Sequence, residues 1–114
     1  MDRAASRLIV IVDDDGGMRR ALARLVAAAG YSARAYECAE DADASGELAR
    51  AGCLVVDVLL PGMSGTRWYA SLDRDRPPAV FVTGADDGPP DGTCLHKPFA
   101  GRALLEAIGR AMEG

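Results

Sequence analysis

The sequence predicts an α/β fold, in which helices cover both faces of a parallel β-sheet. Short, continuous apolar runs alternate with stretches of helical periodicity along its 114 residues. Polar residues follow several of these runs, at the positions where strands would end. The length suits one domain, so we expect residues 1–114 to form a single unit with residues 1–6 as a polar lead-in.

The first half of the chain predicts the order β-α-β-α-β. In chain order these elements are a strand at 8–12, a helix at 18–29, a strand at 33–36, a helix at 39–50 and a strand at 53–56. The first helix has the clearest apolar stripe, and Gly30 is expected to end it. The second helix is the weaker prediction, because Gly46 lies inside it.

The second half predicts a short helix at 66–72, a strand at 79–83, a strand at 93–95 and a helix at 100–112. Residues 84–92 separate the last two strands and comprise three glycines, two prolines, three aspartates and one alanine. Such a segment cannot form an amphipathic helix, and it is shorter than the usual parallel crossover of about 10–12 residues. We therefore expect four full helices instead of five.

Composition excludes several classes of function. The formal net charge is -4 and the basic residues are scattered, which argues against direct nucleic-acid binding by this chain. No apolar run could span a bilayer, and no secretory signal is evident, so no membrane association is expected. Cys38, Cys53 and Cys94 form no C-x-x-C pair, which favours reduced thiols and a cytoplasmic protein over a disulfide framework or a zinc site.

The polar residues at the predicted strand ends indicate one site, because ligands of open parallel sheets bind outside the carboxyl ends of the strands. These residues are Asp13, Asp14, Asp57, Thr83 and Lys97. Three clustered carboxylates would repel one another unless a divalent cation, such as Mg²⁺, lay between them. With Asp57 as nucleophile and Lys97 and Thr83 as phosphate ligands, this set is suited to phosphoryl transfer.

Four segments resemble the signature segments of response-regulator receiver domains. They are Ile-Val-Asp-Asp-Asp at 11–15, Val-Val-Asp-Val-Leu-Leu-Pro-Gly-Met-Ser-Gly at 55–65, Val-Thr-Gly at 82–84 and His-Lys-Pro-Phe at 96–99. The resemblance implies the flavodoxin-like receiver fold, a doubly wound five-stranded parallel sheet of order 2-1-3-4-5, here with the fourth helix absent or replaced by a loop. It also implies a cis peptide bond between Lys97 and Pro98.

The resemblance further implies a role for each site residue. Asp57 would accept the phosphoryl group, with Thr83 and Lys97 contacting it. The ligands of Mg²⁺, or of another divalent cation, would be Asp13, Asp14, Asp57 and the backbone carbonyl of Leu59. The phosphoryl donor would be a histidine kinase or a phosphotransfer protein, and the output would pass through a homodimer, an output domain or another protein. Such a domain is a signalling phosphoacceptor and not an enzyme in its own right.

Two alternative functions share features with this sequence. Cys94 stands where most receivers carry an aromatic residue, and with the missing helix it favours a pseudo-receiver that signals through protein contacts independently of phosphorylation. The five intact site residues argue against this alternative. A magnesium-dependent phosphatase with an aspartyl nucleophile is the other alternative, but the chain has no room for the cap insertion of such enzymes. Asp15 is expected to cap the first helix, and His96 is expected to face solvent.

Overall fold

The computed structural model describes residues 6–84 and 94–113. Five strands form a parallel sheet: β1 (Leu8–Val12), β2 (Ser32–Tyr36), β3 (Cys53–Asp57), β6 (Ala79–Thr83) and β7 (Cys94–His96). A separate two-stranded antiparallel hairpin, β4 (Leu59–Leu60) and β5 (Met63–Ser64), lies between β3 and the third helix. The sheet order is β2-β1-β3-β6-β7, which confirms the predicted 2-1-3-4-5 order of a doubly wound sheet.

Four α-helices occur in the described ranges: α1 (Gly16–Ala28), α2 (Ala39–Ser45), α3 (Gly65–Ser71) and α4 (Gly101–Glu113). The segment predicted to lack a helix, residues 84–92, lies outside the described residues except for Gly84. No helix within 6–84 or 94–113 is both long enough and apolar enough to cross a membrane.

The end of α1 confirms the role expected of Gly30. Its φ is 96°, in the left-handed region that glycine adopts without a steric penalty. The Gly30 N–H donates to the carbonyl of Ala27 at 3.0 Å, and the Tyr31 N–H donates to that of Val26 at 3.1 Å. This pair of hydrogen bonds is a Schellman motif, which satisfies the last carbonyls of the helix and turns the chain towards β2.

The second helix differs from the prediction of one element over 39–50. Helix α2 ends at Ser45, and Gly46 follows with a φ of 74°, so the chain leaves the helical conformation there. A short 3₁₀ helix, Leu48–Arg50, then leads into β3. The glycine that weakened the prediction is therefore the residue at which the helix ends.

The core has two layers, because neighbouring residues of a strand point to opposite faces of the sheet. Val10 and Val12 pack on the face that contains α2 and α3, whereas Ile9 and Ile11 pack against α1 and α4. All four are fully buried. Burial on both sides explains why the central strands are continuous apolar runs and leaves only their polar ends available for chemistry.

Candidate functional site

The predicted site residues lie along one edge of the sheet, at the carboxyl ends of its strands. Asp13 and Asp14 follow β1, Asp57 ends β3, Thr83 ends β6 and Lys97 follows β7. Parallel pairing of β1 with β3, β3 with β6 and β6 with β7 brings these ends together. The structure therefore gathers the polar residues that the sequence placed at the ends of separate strands.

Asp57 is almost buried at this edge, with 6% of its surface exposed. Its Oδ1 atom accepts a hydrogen bond of 3.0 Å from the Leu59 N–H, and its Oδ2 atom lies 3.2 Å from Lys97 Nζ. A buried carboxylate needs such partners to remain ionised. One N–H and one ammonium group thus hold the Asp57 side chain in a fixed orientation at the end of β3.

Lys97 joins Asp57 to the second buried acid, Asp13. Lys97 Nζ also lies 3.2 Å from Asp13 Oδ2, so one ammonium group contacts both carboxylates. Burial lowers the pKa of Lys97, but the charges of Asp13 and Asp57 outweigh it and the pKa is raised above its ordinary value. Lys97 therefore keeps its positive charge within the pocket.

Burial has the opposite consequence for Asp13, which is 1% exposed. Its removal from water raises the pKa of the Asp13 carboxyl, and the nearby charge of Asp57 acts in the same direction. Hydrogen bonding to the Asp15 N–H and the charge of Lys97 lower the pKa but do not cancel that effect. The Asp13 carboxyl therefore binds a proton more readily than an exposed aspartate does.

Asp14 adds a third carboxylate, which is exposed. Asp13, Asp14 and Asp57 each contribute one carboxylate oxygen to a cluster in which the three oxygens lie within 4.8 Å of one another. Hard divalent cations such as Mg²⁺ prefer oxygen ligands of this kind, together with water. The described residues therefore fit a divalent cation in both ligand type and charge.

Thr83 and Leu59 border the carboxylate cluster. Thr83 is fully buried, its carbonyl accepts the Lys97 N–H at 2.7 Å, and its neighbour Val82 pairs with Asp57 across the sheet. The Leu59 N–H reaches the pocket, while the residue as a whole is 57% exposed. The predicted cis peptide bond between Lys97 and Pro98 is present.

The loop from β1 to α1 contains one predicted helix cap and accepts one hydrogen bond, from Arg19 of α1, that was not predicted. Asp15 caps α1, because its Oδ1 atom accepts hydrogen bonds from the Gly17 and Met18 N–H groups. Arg19 Nη1 donates to the backbone carbonyl of Asp13 at 2.9 Å. The sequence offered only its spacing, six residues after Asp13, as a signal for this contact.

The remaining assignments concern groups outside the acidic cluster. His96 is exposed, as expected. The three cysteines are free thiols, and Cys53 is the buried one. Burial raises the pKa of the Cys53 thiol to about 12, which keeps it protonated at neutral pH. Cys53 is therefore a small apolar core residue.

The fold and the acidic pocket together define an α/β domain of the receiver class. The family model described as "Response regulator receiver domain" matches residues 9–109. This match covers most of the chain, and the chain belongs to the response regulator receiver domain family. Members of this family act in two-component signalling.

Curated relatives are consistent with this family. The chain is 32% identical to nodulation protein W of Bradyrhizobium diazoefficiens over 98% of this chain and 54% of that protein. It is 31% identical to the transcriptional regulatory protein FixJ of Rhizobium meliloti over 90% of this chain and 55% of that protein. The chain thus spans about half the length of these relatives.

Solved structures show the same fold. The response regulator StyR is 33% identical, with a TM-score of 0.82 over 93% of this chain and 59% of that one. The chemotaxis response regulator CheY4 of Vibrio cholerae is 21% identical, with a TM-score of 0.79 over 94% of this chain and 99% of that one. The second likeness concerns the fold alone.

Proposed function

We propose that residues 1–114 form one receiver domain that accepts a phosphoryl group on Asp57. The carrying observation is the position of the Asp57 carboxylate, which is nearly buried, contacts Lys97 Nζ at 3.2 Å and lies within the three-carboxylate cluster. Burying an ionised carboxylate to this extent without a compensating partner costs free energy. Its surroundings are those that phosphoryl transfer requires, namely fixed positive charge and a nucleophile held in one orientation.

In this proposal an oxygen of Asp57 attacks the phosphorus atom of a phosphohistidine on a histidine kinase or a phosphotransfer protein. The new O–P bond forms as the N–P bond of the donor breaks, and the histidine nitrogen leaves with the bonding electron pair. Lys97 stabilises the phosphoryl oxygens through its charge, and the Thr83 hydroxyl contacts one of them. Attack by water on phosphorus later releases inorganic phosphate and restores the Asp57 carboxylate.

The proposed ligands of Mg²⁺, or of a similar divalent cation, are Asp13, Asp14, Asp57 and the Leu59 carbonyl. When bound, the cation neutralises negative charge on the carboxylates and on the transferring group. The proposal is supported by the charge of the pocket, where one ammonium group faces three carboxylates. Asp13 and Asp14 would hold the cation, while Asp57 would both bind it and react.

The wider assignments follow from the same reading. We place the domain in the cytoplasm, where it receives its phosphoryl group and changes its contacts with a second copy, an output domain or another protein. Its task is signalling, with self-catalysed transfer and hydrolysis as its only chemistry.

Intact-mass spectrometry after incubation with acetyl phosphate and Mg²⁺ tests the proposal. We expect the wild type to gain the mass of one phosphoryl group and Asp57→Ala to gain none. Asp73→Ala is the matched control, because Asp73 is an exposed aspartate that lies between α3 and β6, at the other edge of the sheet. It should be modified as the wild type is.

Two results would contradict the proposal. An unmodified wild type under these conditions would favour a pseudo-receiver, whose contacts do not depend on phosphorylation. Equal modification of Asp57→Ala and the wild type would place the phosphoryl group on another residue. Omitting Mg²⁺ and adding a chelator should abolish the modification if the carboxylate cluster acts through a cation.

A further inference from the structure

We propose that Arg19 is a positioning residue, which holds the loop between β1 and α1 so that Asp14 is presented to the cation. The inference rests on the proposed function, because it concerns the same metal site. Arg19 is not among the groups that would touch the cation or the phosphoryl group. Its role would be to fix the backbone from which one ligand projects.

Asp14 needs such support, because its side chain has little of its own. Within residues 6–84 and 94–113 its carboxylate makes no hydrogen bond or ion pair, whereas both oxygens of Asp13 and of Asp57 have partners. Asp14 is also exposed, so packing does not hold its side chain. Its direction in the absence of a cation is therefore set mainly by its backbone.

Arg19 binds that backbone at two points. Its N–H donates to the carbonyl of Asp15 at 2.8 Å, which is the first helical hydrogen bond of α1. Its guanidinium Nη1 donates to the carbonyl of Asp13 at 2.9 Å. One residue thus binds the carbonyl groups on either side of Asp14, with its main chain on one side and its side chain on the other.

The Asp13 carbonyl is the more important of these two acceptors. It belongs to the planar peptide unit whose N–H is that of Asp14, so a hydrogen bond to it restrains the plane from which Asp14 extends. The last contact of this segment with the sheet is the Asp13 N–H, which donates to the Tyr36 carbonyl of β2 at 3.1 Å and belongs to the preceding peptide unit, so the sheet does not restrain the unit that leads to Asp14. A charge-assisted hydrogen bond from Arg19 replaces it.

Electrostatics alone predicts the opposite effect of Arg19, which makes the inference testable. A positive charge near the carboxylates repels a divalent cation, so its removal should tighten cation binding. Arg20 provides the comparison, because the guanidinium groups of Arg19 and Arg20 both lie beside Gly16, the first residue of α1. A Cβ atom built on Gly16 would be 3.2 Å from Arg20 Nη1 and 3.5 Å from Arg19 Nη2. Only Arg19 bonds to the loop carbonyl in the described residues.

The experiment is calorimetric titration of the full chain with MgCl₂, without a phosphoryl donor, for the wild type, Arg19→Met and Arg20→Met. Methionine keeps an unbranched stem and removes the charge and the donors. We expect Arg19→Met to bind Mg²⁺ about ten-fold more weakly, the effect of losing one charge-assisted hydrogen bond. Arg20→Met should bind as tightly as the wild type or more tightly.

Separate outcomes test the two levels of the argument. If the wild type binds Mg²⁺ and Arg19→Met binds it equally well or better, the positioning role is wrong and the metal site stands. If the wild type binds no Mg²⁺, the metal site itself is wrong and the positioning role is lost with it. Thermal unfolding of each variant shows whether it is folded, and Arg19→Gln, with the same expected weakening, replaces Arg19→Met if that variant unfolds.

Discussion

Replacing Lys97 by methionine should destabilise the fold in the absence of divalent cations. Lys97 Nζ lies 3.2 Å from a carboxylate oxygen of both Asp13 and Asp57, whose side chains are only 1% and 8% exposed. Methionine would fill similar space and leave two buried like charges without their counter-ion. Removing one partner of a fully buried ion pair costs about 3–5 kcal/mol, and because the Lys97 side chain keeps 20% of its exposure we expect about 2–4 kcal/mol.

Urea unfolding at neutral pH in the presence of a chelator measures this loss, with Arg110→Met as the control. Arg110 lies exposed in the last turn of α4, away from the pocket, and its replacement should change the free energy of unfolding by less than about 0.5 kcal/mol. Saturating Mg²⁺ should restore much of the stability of Lys97→Met, because a cation that binds only the folded state stabilises it. Equal stability of Lys97→Met and the wild type in chelator would refute the argument that Lys97 compensates the buried carboxylates.

Two other sites offer predictions from steric contact and burial. Gly65→Ala should destabilise the fold by about 3 kcal/mol or more in urea unfolding, because the added Cβ would lie 2.2 Å from the Asp57 carbonyl oxygen. Gly109→Ala is the control, because a Cβ there would have no atom within 4 Å. It should stabilise α4 by about 1 kcal/mol through the higher helix propensity of alanine. A Gly65→Ala variant as stable as the wild type would contradict that contact. Burial raises the pKa of Cys53 from 9.0 for an exposed thiol to about 12 in the folded state, so the unfolded chain loses the thiol proton first as the pH rises. The stability that the protonated Cys53 contributes is therefore fully present below pH 9.0 and declines as the pH rises towards 12. Cys53→Ala should therefore lose less stability than the wild type between neutral pH and about pH 10.5, by about 2 kcal/mol, and parallel losses would rule this out.

The sequence predicted the sheet, and the meeting of its polar strand ends at one edge, because both depend on local patterns. Buried strands such as β3 are continuous apolar runs that end abruptly in a polar residue, here Asp57. Once the fold class is known, the parallel arrangement brings those ends to one edge. Lys97 contacts both Asp13 and Asp57 there, although it lies 84 residues from Asp13 and 40 residues from Asp57 along the chain. The strand ends therefore carry most of the information about the site.

Other features depended on contacts that no local pattern reveals. The hairpin of β4 and β5 was not predicted, because two-residue strands leave no periodicity to detect. Helix α2 was predicted too long, since helical propensity continues past Gly46 while its left-handed backbone ends the helix. Arg19 was missed for a similar reason, because its contact is made with a backbone carbonyl, which every residue has, and only the spacing of six residues from Asp13 could have indicated it.

The shared contacts of Lys97 have a consequence for how the pocket can respond to modification. Three ionised carboxylates and one ammonium group leave an excess of two negative charges, which a single divalent cation balances. A phosphoryl group on Asp57 would bring further negative charge to the same place and compete with Asp13 for the one ammonium group. Lys97 cannot neutralise both groups fully. If it moved away from Asp13 towards the phosphoryl group, modification of Asp57 would change the contacts of Asp13 at the end of β1.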